Sequence, residues 1–213
     1  IKAMLPAHVR VLTGVTTQAA LRVDDGVVRN TGNGDTWIGS EFIEDDPGAL
    51  EVAQSVATVL SGAGWPATAV ENILPSLWMK LAINSAVNPL TALTRSSNRE
   101  VAEDPNLAQL AAYLASETAA VAAALGIPLE RPVETALEVA RATGDNRSSM
   151  LRDIEMGRRT ETEAITGAIH ELGEMHGVNT PISTMITILL YALERNVAAQ
   201  ELEVEQTPAP AEE

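Results

Sequence analysis

The chain has no cysteine, only six aromatic residues, and only two lysines among its basic side chains. Without cysteine there is no disulfide framework, no thiolate metal site and no cysteine nucleophile. Six aromatics in 213 residues leave the core to Ala, Leu, Val, Ile and Met. At 46% apolar residues the chain has ample material for one or two domains. The three histidines, His8, His170 and His176, form no ligand spacing, and the last two, six residues apart, fall on different faces of a helix. No metal is expected.

Positive charge is also scarce: 14 basic residues stand against 29 acidic ones, a net charge of −15. Affinity for phosphate backbones needs a basic surface, so a nucleic-acid partner is excluded. The two lysines are Lys2 and Lys80; the other basic residues are all arginine. An acidic surface that has shed lysine suits a salt-rich cytoplasm, where screening removes self-repulsion. It suits equally well an acidic protein from a GC-rich bacterium. Either way, a lysine retained inside such a chain is a candidate for a specific task. No apolar run reaches the length of a membrane span and no charged-then-apolar leader opens the sequence. The expectation is a soluble, cytoplasmic protein with no membrane partner. The chain opens on Ile1, without methionine and inside an amphipathic stretch, which reads as a piece of a longer protein.

Residues 1–43 have β texture. Val9–Thr17 is rich in β-branched residues, and short extended segments are separated by Asp25-Gly26 and Asn33-Gly34. This predicts a small antiparallel meander, with Gly32-Asn33-Gly34 as a hairpin turn. A dinucleotide fingerprint is not met there, because Trp37 stands where a third glycine belongs. Asp46-Pro47 predicts a helix start, with Asp as N-cap and Pro at the first helical position; that helix runs to a stop at Gly62–Gly64. From about residue 71 the spacing predicts helices over 71–94, 105–125, 133–142, 148–156, 161–176 and 181–199. Gly126, Gly144, Gly157 and Gly177 act as stops. Residues 201–213 hold five glutamates and Pro208-Ala209-Pro210, the composition of a disordered tail. Three segments are thus expected: 1–70, 71–200 and the tail 201–213.

The helix around residue 80 is apolar nearly all round, interrupted by one polar stripe. At about 100° per residue, Lys80, Asn84 and Asn88 fall within an arc of roughly 80°. A helix otherwise apolar is usually buried, so the stripe is expected to face a cavity or cleft, where an amine with two amide neighbours can bind and protonate a polar small molecule. Spacing alone also allows a lysine that snorkels to solvent, with amides that satisfy nearby backbone groups. Asn88 precedes Pro89, which disfavours α geometry and predicts a kink or loosening at that point.

A second constellation runs from Ser148 to Glu163. Thr160-x-x-Glu163 is a capping box, so a helix should begin at 160, with Glu161 at its first position. A carboxylate there complements the helix dipole, which is reason enough for it without any catalytic role. Ser148 and Ser149 sit near another helix start, where hydroxyls and free N–H groups can receive a substrate carboxylate.

Leu77–Leu93 (LWMKLAINSAVNPLTAL) together with Ser148–Gly167 (SSMLRDIEMGRRTETEAITG) resembles the ketopantoate reductase, or 2-dehydropantoate 2-reductase, family. Gly14–Ala20, Thr31–Gly39 and His176–Pro181 extend the resemblance from about residue 10 to about 195. It implies an α/β N-terminal remnant, the end of a Rossmann-like dinucleotide-binding domain. An all-α domain of the 6-phosphogluconate-dehydrogenase-like C-terminal type should follow. It also implies NADPH as cofactor and a small 2-oxo acid as substrate, with a homodimer one assembly open to it. Lys80 matches the family's catalytic lysine and Glu161 its catalytic glutamate. Asn84 and Ser149 match substrate-binding residues, and Asn88 lines the same pocket. The implied reaction is reduction of ketopantoate to pantoate, on the route to pantothenate and coenzyme A. Reduction of another 2-oxo acid, or a non-catalytic helical interaction module, are the alternatives. The sequence departs from the family at Asn98-Arg99-Glu100, where a glycine is usual in the middle, and its loss is expected to alter that turn. The family's glycine-rich cofactor loop has no counterpart in this chain, so no cofactor-binding residue is named.

Overall fold

The computed structural model describes residues 4–6, 9–40 and 48–206. The chain divides into two compact units, Ile1–Lys80 and Leu81–Glu213. The division falls inside one helix, ten residues beyond the expected segment boundary.

The first unit holds two small sheets. β1 (Thr13–Thr16), β4 (Thr36–Ser40) and β5 (Ala67–Asn72) form a three-stranded sheet in the order β1-β4-β5. β1 is antiparallel to β4, whereas β4 and β5 are parallel. A parallel pair needs a long crossover, and α1 (Ala49–Gly62) supplies it. Fully buried Ala53 and nearly buried Ala57 let α1 lie close on Ile38 and on Ala67 and Ala69 of the sheet. β2 (Ala19–Asp24) and β3 (Val27–Gly32) pair only with each other, as a hairpin closed by Asp25-Gly26 with Gly26 at φ 73°.

The expected antiparallel meander is therefore corrected. The missing partner is β5, whose last residues overlap the helix predicted from residue 71, and the sheet it joins is mixed. Gly32-Asn33-Gly34 is not a hairpin turn, because β3 and β4 belong to different sheets. It is a link that passes against the β1–β2 connection. A Cβ on Gly34 would lie 2.7 Å from the backbone of Thr17, so that contact requires glycine. The expected Asp46-Pro47 helix start lies outside the described residues; α1 ends as expected, with Gly64 at φ 84° just beyond it.

α2 (Leu74–Thr94) crosses from the first unit into the second, which is helical throughout: α3 (Asn98–Glu103), α4 (Pro105–Ala124), α5 (Pro132–Thr143), α6 (Ser149–Glu155), a π-helix (Glu163–Gly167), α7 (Ala168–His176) and α8 (Pro181–Gln206). The glycine stops at 126, 144, 157 and 177 stand where expected. α4 is central, packed against α3, α5, α7 and α8. Its inward positions are small: Ala111, Ala115 and Ala122 are completely buried with Leu114 and Val121. Alanine at helix contacts permits close axes and tight dispersion packing without aromatic bulk. That is how a chain with 3% aromatics fills its core.

Three further expectations change. α4 has an 18-residue window of mean hydropathy 1.2, long and apolar enough to cross a membrane by length and composition, although no such run was expected. Here it packs as a core helix. α8 continues to Gln206, into the stretch expected to be tail, and residues 207–213 lie outside the described residues. Asn98-Arg99-Glu100, expected as an altered turn, instead opens α3, where arginine is a good helix former.

Ser97 caps α3 and Glu100 closes a capping box: the Ser97 backbone N–H donates to the Glu100 carboxylate at 2.6 Å. That backbone bond, followed by the Ser97 hydroxyl, holds the exposed Glu100 carboxyl below the ordinary carboxylate range. A depressed folded-state value means that the box contributes above the unfolded pKa and is lost as pH falls through the folded one. Arg99 pairs with Asp145, whose hydrogen bond raises the guanidinium further above its ordinary value.

The first turn of α8 is capped from another helix. Glu117 of α4 accepts from the backbone N–H groups of Ile182 and Ser183 at 2.8 and 2.7 Å, and from the Ser183 hydroxyl at 2.6 Å. These are orphan donors at a positive helix end. Glu117→Ala should lower stability by about 1–2 kcal/mol. In urea unfolding this would appear as a lower midpoint at unchanged slope.

Candidate active site

Lys80, Asn84 and Asn88 stand four residues apart on α2 and share one face of it. α2 does not break at Asn88: it runs through Pro89 to Thr94. The expected kink is thus corrected to a local change in hydrogen bonding. Pro89 has no N–H to give the Ser85 carbonyl, and the Asn88 carbonyl accepts from the Thr91 hydroxyl at 2.8 Å.

Lys80 is half-buried and its Nζ donates to the carbonyl oxygen of Thr16 at 3.0 Å. That carbonyl ends β1, at a corner held by an ordered chain of donors. Trp65 Nε1 donates to the Thr36 hydroxyl, and that hydroxyl donates to Thr16 Oγ1, each at 2.8 Å. Gln18 N–H also donates to Thr16 Oγ1. The ammonium has three donors; one is committed to this corner and two remain. The Thr16, Thr36 and Trp65 contributions were not visible in the sequence, because they depend on strand register and not on spacing.

Asn84 is half-buried and Asn88 is 8% exposed. Neither side-chain amide has a hydrogen-bond partner among the described residues. Near-burial without a partner is unusual for an amide and leaves both groups able to receive a ligand. One turn beyond Asn88, the Thr91 and Ser148 hydroxyls lie 2.6 Å apart. Thr91 spends its proton on the Asn88 carbonyl, so Ser148 donates to Thr91. Ser148 Oγ accepts in turn from Leu151 N–H, as N-cap of α6. Ser149 is the first residue of α6, exposed and without a side-chain partner among the described residues. Of the two adjacent serines, one is fully engaged in structure and the other is free.

Glu161 is exposed, and its carboxylate has no partner among the described residues. Its main chain is held: the Glu161 carbonyl accepts from Ala164 and Ile165 N–H at 3.1 and 3.0 Å. The expected capping box at Thr160 is corrected. Glu163 does not reach back; it lies 3.8 Å from Arg159. The Thr160 N–H is taken at 3.0 Å by Glu194 of α8. The following turn is a π-helix, with Gly167 N–H donating five residues back to the Thr162 carbonyl at 3.0 Å. Such turns occur often at functional sites. Asn84, Asn88, Ser149 and Glu161 therefore share one property, unpartnered polar ends on fixed backbone. No hydrogen bond links Glu161 to the other three among the described residues.

For a dinucleotide, the described residues offer no pyrophosphate cradle. Gly32-Asn33-Gly34 joins two strands rather than a strand and a helix, and the space a cradle would need at Gly34 is filled by Thr17. No residue here is assigned to hold it.

The family model for ketopantoate reductase, PanE/ApbA, C terminal, matches residues 72–194, which include Lys80, Asn84, Asn88, Ser149 and Glu161. The chain belongs to the ketopantoate reductase family. Its similarity extends to the 2-dehydropantoate 2-reductase of Archaeoglobus fulgidus, 40% identical over 185 residues, which cover 87% of this chain and 61% of that protein. The enzyme of the same name from Halobacterium salinarum is 34% identical over 198 residues, 91% of this chain and 64% of that protein. This chain thus spans about three fifths of the length of these ketopantoate reductase relatives. Among solved structures, D-mandelate dehydrogenase with NADH and anilino(oxo)acetate is similar at a TM-score of 0.77 and 27% identity, over 87% of this chain and 60% of that one. With these likenesses, the fold is the end of a Rossmann-like domain followed by the family's helical C-terminal domain.

The serine pair gives a test of the site's anatomy. Ser148→Ala should lower stability by about 1 kcal/mol or more, through loss of the α6 cap and of a buried partner for Thr91. Ser149→Ala should stay within about 0.5 kcal/mol of the parent. Thermal unfolding of the two variants side by side measures the contrast.

Proposed function

We propose that this chain is the substrate-binding and proton-delivering part of an NADPH-dependent reductase that converts ketopantoate to pantoate, a cytoplasmic step toward pantothenate and coenzyme A. The observation that carries this reading is the α2 stripe: a lysine amine held at one donor, followed on the same face by a half-buried and a buried amide with no partner among the described residues. It lies within the family match. When bound to the complete reductase, a reduced nicotinamide nucleotide would supply the hydride, and the task of this chain's own residues is the proton. The Lys80 ammonium, with two donors unspent, hydrogen-bonds the ketone oxygen and protonates it as negative charge develops there. The resulting neutral amine regains its proton from water. Asn84, Asn88 and Ser149 bind the carboxylate and hydroxyl of the substrate. Glu161 contacts substrate and keeps it aligned. A homodimer is a compatible assembly.

A second reading keeps the chemistry and changes the substrate. The likeness to D-mandelate dehydrogenase supports it, since that protein's name points to a 2-hydroxy acid with an aryl group. Assay of the complete reductase with ketopantoate and with branched and aryl 2-oxo acids separates the two. The highest kcat/KM on ketopantoate supports the first reading, and a preference for an aryl acid overturns it. In the same protein, Lys80→Ala should leave NADPH binding nearly unchanged and lower kcat by about 10²–10⁴-fold. Turnover close to the parent would remove Lys80 from the proton-donor role.

A further inference from the structure

Glu161 presents an unpartnered carboxylate from a segment that is anchored on both sides by α8. On its N-terminal side, Glu194 Oε1 accepts from both the backbone N–H and the hydroxyl of Thr160. The N–H and hydroxyl of Thr160 are then both engaged. Its hydroxyl proton goes to Glu194, while its oxygen accepts from the Thr162 N–H at 3.2 Å and faces the Thr162 hydroxyl at 2.6 Å. Thr162 is 1% exposed and its carbonyl closes the π-turn through Gly167. On the C-terminal side, Thr166 of the π-helix is fully buried, and its hydroxyl lies 2.7 Å from that of Thr187 on α8. Glu161 therefore sits between two threonines whose N–H and hydroxyl groups are engaged, while its own carboxylate has no partner among the described residues.

A capping box closed locally by Glu163 would tie this turn to itself. Closure by Glu194 ties it instead to the 26-residue helix α8. We propose that Glu194 is a positioning residue for Glu161: through Thr160 it sets the direction in which the Glu161 carboxylate is presented to substrate. The proposal rests on the reading of Glu161 as a substrate-contacting group. What Glu194 supplies is an acceptor at a fixed place, so an amide oxygen on the same stem serves as well as a carboxylate oxygen.

The test uses the complete reductase and five variants: Glu194→Ala, Glu194→Gln, Thr160→Val, Glu161→Gln and the double variant Glu161→Gln/Glu194→Ala. Each is first shown by circular dichroism and thermal melting to be folded. A misplacement of the order of 1 Å is enough to lower kcat for Glu194→Ala by about 10-fold or more, with a smaller change in KM for the nicotinamide nucleotide. Thr160→Val should follow in the same direction, and Glu194→Gln should stay within about threefold of the parent, because its Oε1 still accepts. If Glu194 acts through Glu161, the effects do not add, and the double variant matches Glu161→Gln alone. Additive losses, or a Glu194→Gln variant as impaired as Glu194→Ala, overturn the proposal. So does a parent-like Glu194→Ala beside an impaired Glu161→Gln, which leaves the role of Glu161 intact. A parent-like Glu161→Gln instead removes the reading of Glu161, and this proposal falls with it. Should Glu194→Ala not fold, Thr160→Val, its double with Glu161→Gln, and Glu194→Gln carry the same comparison.

Discussion

The continuity of α2 is the constraint on which the rest depends. An unbroken α-helix allows one rise and one rotation per residue. Lys80, Asn84 and Asn88 are therefore about 6 Å apart along the axis and nearly in line. The Thr16 carbonyl holds the Lys80 amine. Pro89 would end most helices. Here the Thr91 hydroxyl engages the Asn88 carbonyl and the helix continues among buried neighbours.

Around that helix, much of the polar satisfaction is done by hydroxyls. Ser85 with Thr118, Thr91 with Ser148 and Thr166 with Thr187 are buried pairs at 2.6–2.8 Å. Small hydroxyl residues bond back to the helix carbonyls and to one another without taking much volume, which suits a core built on alanine. Carboxylates then handle the helix and turn starts: Glu100 for α3, Glu117 for α8, Glu194 for the turn before the π-helix. This division of labour explains the contrast at the candidate site. Polar groups with a structural task are paired; of those proposed to meet substrate, Lys80 commits one donor to Thr16 and the others have no side-chain partner among the described residues.

The helical half was legible because its signals are local. Apolar period and glycine stops are properties of a few consecutive residues, and the six expected helical segments begin within about three residues of where spacing put them, while α3 was not among them. The β half was less so. Val9–Thr17 and the Asp25-Gly26 hairpin were readable, but whether β3 pairs with β4, and whether a later strand joins the sheet in parallel, is settled by contacts remote in sequence. The same holds at Thr160. The S/T-x-x-E pattern is present, yet Glu194, 34 residues away, reaches the N–H first and Glu163 stays exposed near Arg159.

By itself, then, the sequence determined the helical texture, the one-faced stripe of Lys80, Asn84 and Asn88, and family membership through motifs as long as LWMKLAINSAVNPLTAL. These follow from periodicity and from residue order, which need no partner to be read. Only the tertiary structure decided which of those polar groups are consumed and which are free. Ser148 and Ser149 are neighbours of one type, and only Ser148 meets Thr91 of α2. What separates them is whether a helix distant in sequence offers a donor or acceptor within about 3 Å, and that is a property of packing.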